Sequence, residues 1–177
     1  MAITNSIPDR LHDMRVYTGK DSHVARGTGT VNLPNIDYLT ETLKGAGVAG
    51  EYESIAPGLL KALEFSIDWN TITQDVTDLS APKSHYIDCR MALNVMDSGD
   101  GSPKSEGWRA VVKGVPKSNK YGKAEPSATM GTTTTLSCSY YKLEKGGKTL
   151  IEVDVLNYIC NIGGTDYLEE IRSILGM

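Results

Sequence analysis

What this sequence lacks narrows its function first. Its 177 residues carry 22 acidic against 18 basic side chains, a formal net charge of −4, so there is no overall cationic excess to hold a polyanion. A local basic patch remains compatible with that total. No apolar run approaches the roughly 20 residues of a helical membrane span. The opening residues, Met1 to Ser6, lack the basic and apolar regions of a secretion signal, and cytoplasmic synthesis is the expectation. Cysteine is scarce: Cys89, Cys138 and Cys160 are an odd number at wide spacing, with no CxxC pattern. Each lies in a strand-like stretch, which predicts small buried apolar side chains rather than a disulfide framework.

Catalytic and cofactor signatures are equally sparse. His12, His23 and His85 share no spacing that would pair them as metal ligands on one helix or strand. No serine stands in a GxSxG setting, and no cysteine has a histidine and an acid nearby in sequence. Gly45, Gly47 and Gly50 fit GxGxxG by letters alone. A dinucleotide site also needs a buried strand before it and a helix after it, whereas these flanks read as polar and strand-like. The pairs Glu51/Glu53 and Glu152/Asp154 place two carboxylates on one face of a strand, and Glu169/Glu170 form a third acidic pair. In a monomer these read as solvated faces. In an oligomer they could line a shared channel. No cofactor, metal or enzymatic activity is expected.

What is present is strand alternation. Leu63, Phe65, Ile67 and Trp69 alternate with Glu64, Ser66, Asp68 and Asn70, giving one apolar and one wet face. Ile87, Cys89, Met91, Leu93 and Val95 do the same against Asp88, Arg90 and Asn94. Trp108 to Val112 is a short strand candidate, and Thr132 to Thr135 suits a pleated, half-buried surface. Asn70 to Leu79 predicts about two helical turns, capped by Asn70 or Thr71. Asp97 to Gly107 and the basic stretch Pro116 to Pro126 read as loops.

The C-terminal third is the most explicit. A strand from Leu136 to Leu143 meets Gly146-Gly147, a pair suited to the positive φ angles of a tight hairpin. The return strand is expected over Thr149 to Cys160. Its apolar phase switches from Ile151, Val153 and Val155 to Leu156, Tyr158 and Cys160, which predicts a bulge, or a changed neighbour, near Asn157. After Gly163-Gly164, Thr165 or Asp166 is expected to cap a helix over 165–175, with Glu169 completing a capping box. Tyr167, Leu168, Ile171, Ile174 and Leu175 fall on one face for docking, and Gly176 ends the helix.

Residues 31–57 are different again. The run from Gly45 to Gly50 lies between strand-like arms, and so many glycines make an isolated hairpin entropically costly. Such a segment orders more readily against a partner surface.

Several stretches together resemble a known family. They are Leu33-Pro34 followed by ETLKGAGVAGEYE, then LEFSIDW, CRMALNVMD, VVKGVPKSNKYGKAEP, SYYKLEKGG and the closing LIEVDVLNYICNIGGTDYLEEIRSILGM. From Leu11 to Met177 their order and spacing resemble the major tail tube proteins of contractile phage tails, a family also used in phage-tail-like bacteriocins. The one small departure is the double glycine Gly163-Gly164, where a single glycine is more usual.

The resemblance implies a mainly β fold: an antiparallel sandwich or small barrel with a flanking C-terminal helix. It implies a single domain over residues 1–177, in which 31–57 protrude as a glycine-rich hairpin. It further implies hexameric rings stacked into a hollow tube inside a sheath, with baseplate and tape-measure proteins as partners. DNA would be transient cargo, or the tube would serve membrane puncture, in a virion tail or an extracellular bacteriocin particle. On this reading Gly45, Gly47, Gly50, Glu51 and Glu53 are the candidate assembly interface. Lys117, Lys120 and Lys123, in a basic stretch that begins at Lys113, are the candidate sheath-facing cations. A tube subunit of a type VI-like secretion apparatus and a monomeric β-sandwich binding module are the rival readings.

Overall fold

The chain folds as its alternation dictates. A computed structural model of the protein describes residues 6–19, 23–45, 47 and 49–177. Residues 1–5 and 20–22, together with Ala46 and Val48 of the glycine run, lie outside the described residues. The strands are β1 (Ser6–Thr18), β2 (His23–Val24), β3 (Thr28–Asn32), β4 (Tyr38–Leu43), β5 (Tyr52–Leu60), β6 (Leu63–Trp69), β7 (His85–Asp97), β8 (Pro103–Lys120), β9 (Thr132–Lys145), β10 (Lys148–Asp154), β11 (Ile159–Ile162) and β12 (Thr165–Asp166). Two short helices join them, α1 (Gln74–Leu79) and α2 (Glu169–Leu175).

All described pairings are antiparallel, and they form a 10-stranded sheet in the order β12-β11-β10-β9-β8-β7-β1-β2, with β3 and β6 on a branch. The branch point is β9. Its first half pairs with β6, from Trp69↔Thr132 to Leu63↔Cys138, and its second half pairs with β10, from Asp154↔Tyr140 to Lys148↔Lys145. Strand β8 covers the other side of both halves, with a register shift at Lys113/Gly114 beside the fork. The segment from His23 to Asn32 starts on β1 and ends on β6, so it spans the two sides of the curved sheet.

Inside lies one apolar cluster that includes Val16, Phe65, Ile67, Val76, Ile87, Val112, Leu136 and Val153. The threonine run contributes to it because its hydroxyls are satisfied. Thr134 Oγ1 accepts from Trp69 Nε1 at 3.1 Å, and Thr132 Oγ1 donates to the Tyr121 carbonyl at 3.1 Å. All three cysteines are free and buried, as their strand settings predict.

Several boundaries differ from expectation for identifiable reasons. The phase switch near Asn157 is a chain reversal, not a bulge: β10 ends at Asp154 and β11 returns along it from Ile159. Asp154 builds that turn, its carboxylate accepting from the Leu156 and Asn157 amides at 3.2 and 3.1 Å. Thr165 and Asp166 form β12, so the C-terminal helix starts later than predicted, with Leu168 at its N-cap and no side-chain cap bond. Asp166 acts from outside the helix, accepting from the Leu168 and Cys160 amides and pairing with Arg172 at 2.7 Å. Gly176 closes α2 at φ 71°, as predicted.

Helix α1 is capped by Thr73 rather than Asn70 or Thr71, since the helix begins only at Gln74 and the Thr73 hydroxyl accepts from the Val76 amide at 3.4 Å. Much of the two predicted loops is strand, because β8 extends from Pro103 through Lys120. Strand β1 has no counterpart among the sequence-predicted elements. Its exposed first half carries no apolar alternation to read.

Candidate assembly surfaces

The glycine-rich hairpin stands apart from the main sheet. Strands β4 and β5 pair only with each other, through Leu43↔Tyr52, Thr42↔Glu53, Glu41↔Ser54 and Thr40↔Ile55. Alternation therefore gives the hairpin two faces. Glu51 and Glu53 share one with Thr42 and Lys44, whose Nζ lies 3.8 Å from Glu51. Leu43 and Tyr52 occupy the other with Glu41 and Ser54, and Tyr52 is 60% exposed. At the tip Gly45, Gly47 and Gly50 adopt φ of 137°, 93° and 146°, a region that L side chains resist. These glycines join two antiparallel strands rather than a strand and a helix, so the GxGxxG letters form no dinucleotide site.

At the hairpin's base, β5 lies against β11 and the start of α2. Gly58 has φ 81°, and a Cβ there would sit 2.6 Å from Leu168 Cγ, so both backbone and packing require glycine.

Helix α2 does not bury the apolar face that its sequence predicts. Leu168, its N-cap, is buried, whereas Tyr167, Ile171, Ile174 and Leu175 are exposed, Ile174 by 73%. Leu156, in the β10–β11 turn, is also 73% exposed. Arg172 ties helix to turn by donating to the Tyr158 carbonyl at 2.5 Å. An apolar helix face left in solvent, and two large apolar side chains exposed on the hairpin, are the kind of feature that commonly marks an interaction site.

A third feature lies on the non-core face of the sheet. The pairings Arg15↔Arg90, Arg90↔Arg109 and Arg109↔Glu144 set three guanidiniums side by side across β1, β7 and β8. Like charges directly opposite one another are destabilising in a sheet. Buried Asp88 relieves two of them. Its carboxylate accepts from Arg109 Nε and Nη2, both at 2.9 Å, and from Arg90 Nη2 at 3.0 Å. Burial pushes the Asp88 carboxyl up, but the bonds from Arg109 and Arg90 outweigh it and hold it below the usual carboxylate range. Arg90 also stacks on Tyr17 at 4.5 Å. Arg15 has no ion pair among the described residues. Sequence reading placed Asp88 on the wet face and missed this cluster; the hint was a carboxylate two residues from Arg90 on the same strand face.

The other predicted residues separate. Lys117 is paired with Glu64, whereas Lys120 and Lys123 are exposed with no ion pair among the described residues. Lys113 lies over the Tyr140 ring at 4.6 Å. Glu152 accepts from the Tyr140 hydroxyl at 2.8 Å, and Asp154 is engaged in its turn. Glu169 and Glu170 occupy the first turn of α2, where the helix dipole favours them. Burial pushes the Cys89 thiol up to about 11 and Cys138 to about 12, so neither has thiolate character at neutral pH. No cluster of three or more His, Cys, Asp or Glu suited to a metal occurs among the described residues.

Comparison with known proteins identifies the family. The family model described as phage tail tube protein FII matches residues 8–176. The tail tube protein of Escherichia phage P2 is 24% identical, over 97% of this chain and 99% of its own. The major tail tube protein of Serratia phage KSP20 is likewise 24% identical, over 97% of this chain and 98% of its own. Among solved structures, the sheath/tube terminator of an extracellular contractile injection system, PVC, in its extended state, aligns at a TM-score of 0.50. That alignment has 11% identity and covers 77% of this chain and 96% of the other, a likeness of fold.

Proposed function

The chain belongs to the phage tail tube protein family, and from that premise we propose that it is the structural subunit of the inner tube of a contractile tail. It polymerises as stacked hexameric rings into a hollow conduit for DNA passage or membrane puncture. The observation that carries this reading is the hairpin: a separate two-stranded sheet on which Leu43 and Tyr52 stand exposed, uncovered by the described residues of their own chain. A monomeric protein gains nothing from holding Leu43 and Tyr52 in water, whereas a subunit buries them on assembly.

The parts divide by chemistry. Gly45, Gly47 and Gly50, with Glu51 and Glu53, form the arm that reaches a neighbouring subunit. Strand edges from adjacent copies join into the wall, which removes edges that would otherwise aggregate. On the outside, Lys120 and Lys123 serve an acidic sheath surface better than Lys117, whose charge Glu64 already engages. Baseplate and tape-measure proteins start and limit the polymer. An acidic subunit gives an acidic ring, and a negative lumen would repel DNA phosphates and keep the conduit from sticking.

Negative-stain electron microscopy tests the proposal. Purified protein should form hollow tubes of uniform width on concentration, or on addition of its baseplate. A protein that stays monomeric under both conditions is not a tube subunit.

A further inference from the structure

The arginine row borders an open trough of about 600 Å³ on the non-core face of the sheet. Its floor is the adjacent cross-strand row, Ala92↔Gly107, with the Gly146 amide donating to the Gly107 carbonyl at 2.9 Å. Ala92 of β7, Gly107 of β8 and Gly146 of the β9–β10 turn thus lay nearly bare backbone side by side, with Asp13 of β1 paired to Ala92 at the other end of the row. Gly107 is the informative residue. Its φ is not positive, and a Cβ there would meet nothing within 4 Å. Neither conformation nor packing within the chain requires glycine, although glycine in a strand interior carries an entropic cost. Glycine in a strand commonly marks the close approach of another backbone.

Charge decides what approaches. The trough is lined by Arg15, Arg90 and Arg109 against Asp13 and Glu144, and buried Asp88 already engages Arg90 and Arg109. Glu144 is held by Lys142 at 2.8 Å, and Asp13 accepts from the Met14 amide at 2.8 Å. Arg15 remains at the rim with no counterion among the described residues. Among the described residues the β4–β5 hairpin is the pair of strands outside the main sheet, and its outer part carries Glu41, Glu51 and Glu53 against Lys44 alone. Its acidic face, Glu51 with Glu53, presents two carboxylates at strand spacing.

We propose that the trough is the receptor for the hairpin of a second copy of this chain, with Glu51 and Glu53 seated toward Arg15, the guanidinium of the row that Asp88 does not engage, and the arm lying over Gly107. The contact is heterologous, since hairpin and trough are different surfaces, so every docked subunit leaves one of each free. Such a contact propagates into rings or open polymers instead of closing as a dimer. Arginine suits this role better than lysine because its planar fork takes a carboxylate in bidentate fashion. The inference rests on the tube reading and names the surface that completes it.

Charge exchange tests it. The variants are Arg15→Glu, Gly107→Leu, Glu51→Arg with Glu53→Arg, and the combination of Arg15→Glu with Glu53→Arg, each first shown by circular dichroism and gel filtration to be folded. All substituted positions are exposed, so the monomers are expected to keep their wild-type melting temperature. The threshold concentration for tubes, read by pelleting and microscopy, should rise roughly tenfold or more for the first three variants. The combination should recover most of that loss. Wild-type thresholds for Arg15→Glu and Gly107→Leu, in a preparation whose wild type forms tubes, would overturn the trough assignment and leave the tube reading standing. Wild-type protein that forms no tubes even with baseplate would overturn both. If Arg15→Glu assembles normally but releases short duplex DNA that the wild type retains, the trough is a phosphate site and the proposal fails.

Discussion

Replacing Gly114 with alanine should destabilise the subunit more than its single added methyl group suggests. Gly114 sits on β8 beside the fork where β9 exchanges β6 for β10. An added Cβ would lie 2.5 Å from the Ser137 carbonyl oxygen, 3.1 Å from its carbon and 3.2 Å from the Cys138 Cα. All three atoms are backbone of β9, a strand paired on both sides. No side-chain rotation can relieve the clash, so one strand must shift. Overpacking typically costs about 1–3 kcal/mol, and a rigid neighbour puts this case near 3 kcal/mol. For a chain of this length that lowers the melting temperature by about 6–12 °C. The matched control is Gly107→Ala on the same strand, where open space surrounds the new methyl; it should be neutral or more stable by about 0.5–1 kcal/mol. Both are read by urea and thermal unfolding of monomeric protein below the assembly threshold. A Gly114→Ala variant within about 1 kcal/mol of wild type, roughly 2–4 °C, would refute the close strand approach at the fork.

Other outcomes follow from the same geometry. Asp88→Asn should cost about 1–3 kcal/mol, below the figure for a fully buried pair because Arg90 and Arg109 are 50% and 42% exposed. Since the folded carboxyl titrates below its unfolded value, its stabilisation is complete above about pH 4 and is lost as the pH falls through the folded value, and Asp88→Asn should flatten that limb of acid unfolding. Gly47→Val should leave a folded monomer, because open space surrounds the tip, yet block tube formation through its φ of 93°; unchanged tube length would count against an ordered tip. Ile174→Ser should keep the monomer's melting temperature within about 0.5 kcal/mol of wild type, as an exposed position allows. The same change should weaken assembly, and equal assembly would remove α2 from the interface. Reversing Lys120 and Lys123 to glutamate should reduce sheath decoration of preformed tubes while sparing the tubes, and normal decoration would show that the sheath binds elsewhere.

How far the sequence foretold this molecule depended on how local each signal was. The Leu63–Trp69 and Ile87–Val95 alternations, Gly146-Gly147 and the Gly176 stop are local statements, and each corresponds to the structure. The chain reversal at 155–158 showed only as a phase change, because a bulge and a tight turn disturb alternation alike until the partner strand is known. The predicted helix docking failed for a different reason. Periodicity says that Ile171, Ile174 and Leu175 share a face, but not whether their partner belongs to the same chain. Of the Asp88 cluster only the Asp88–Arg90 spacing was local; Arg109 joins it across β7 and β8, 21 residues away, by a pairing that no local pattern specifies. Family resemblance pointed to the hairpin as an interface, while the trough depends on cross-strand register and emerges only from the fold.

Helical reconstruction of assembled tubes by cryo-electron microscopy would place every subunit and its hairpin. Stacked rings of six subunits around an open channel are expected, with each β4–β5 hairpin buried on a neighbouring copy. Tubes in which that hairpin remains solvent-exposed, or particles without a channel, would contradict it.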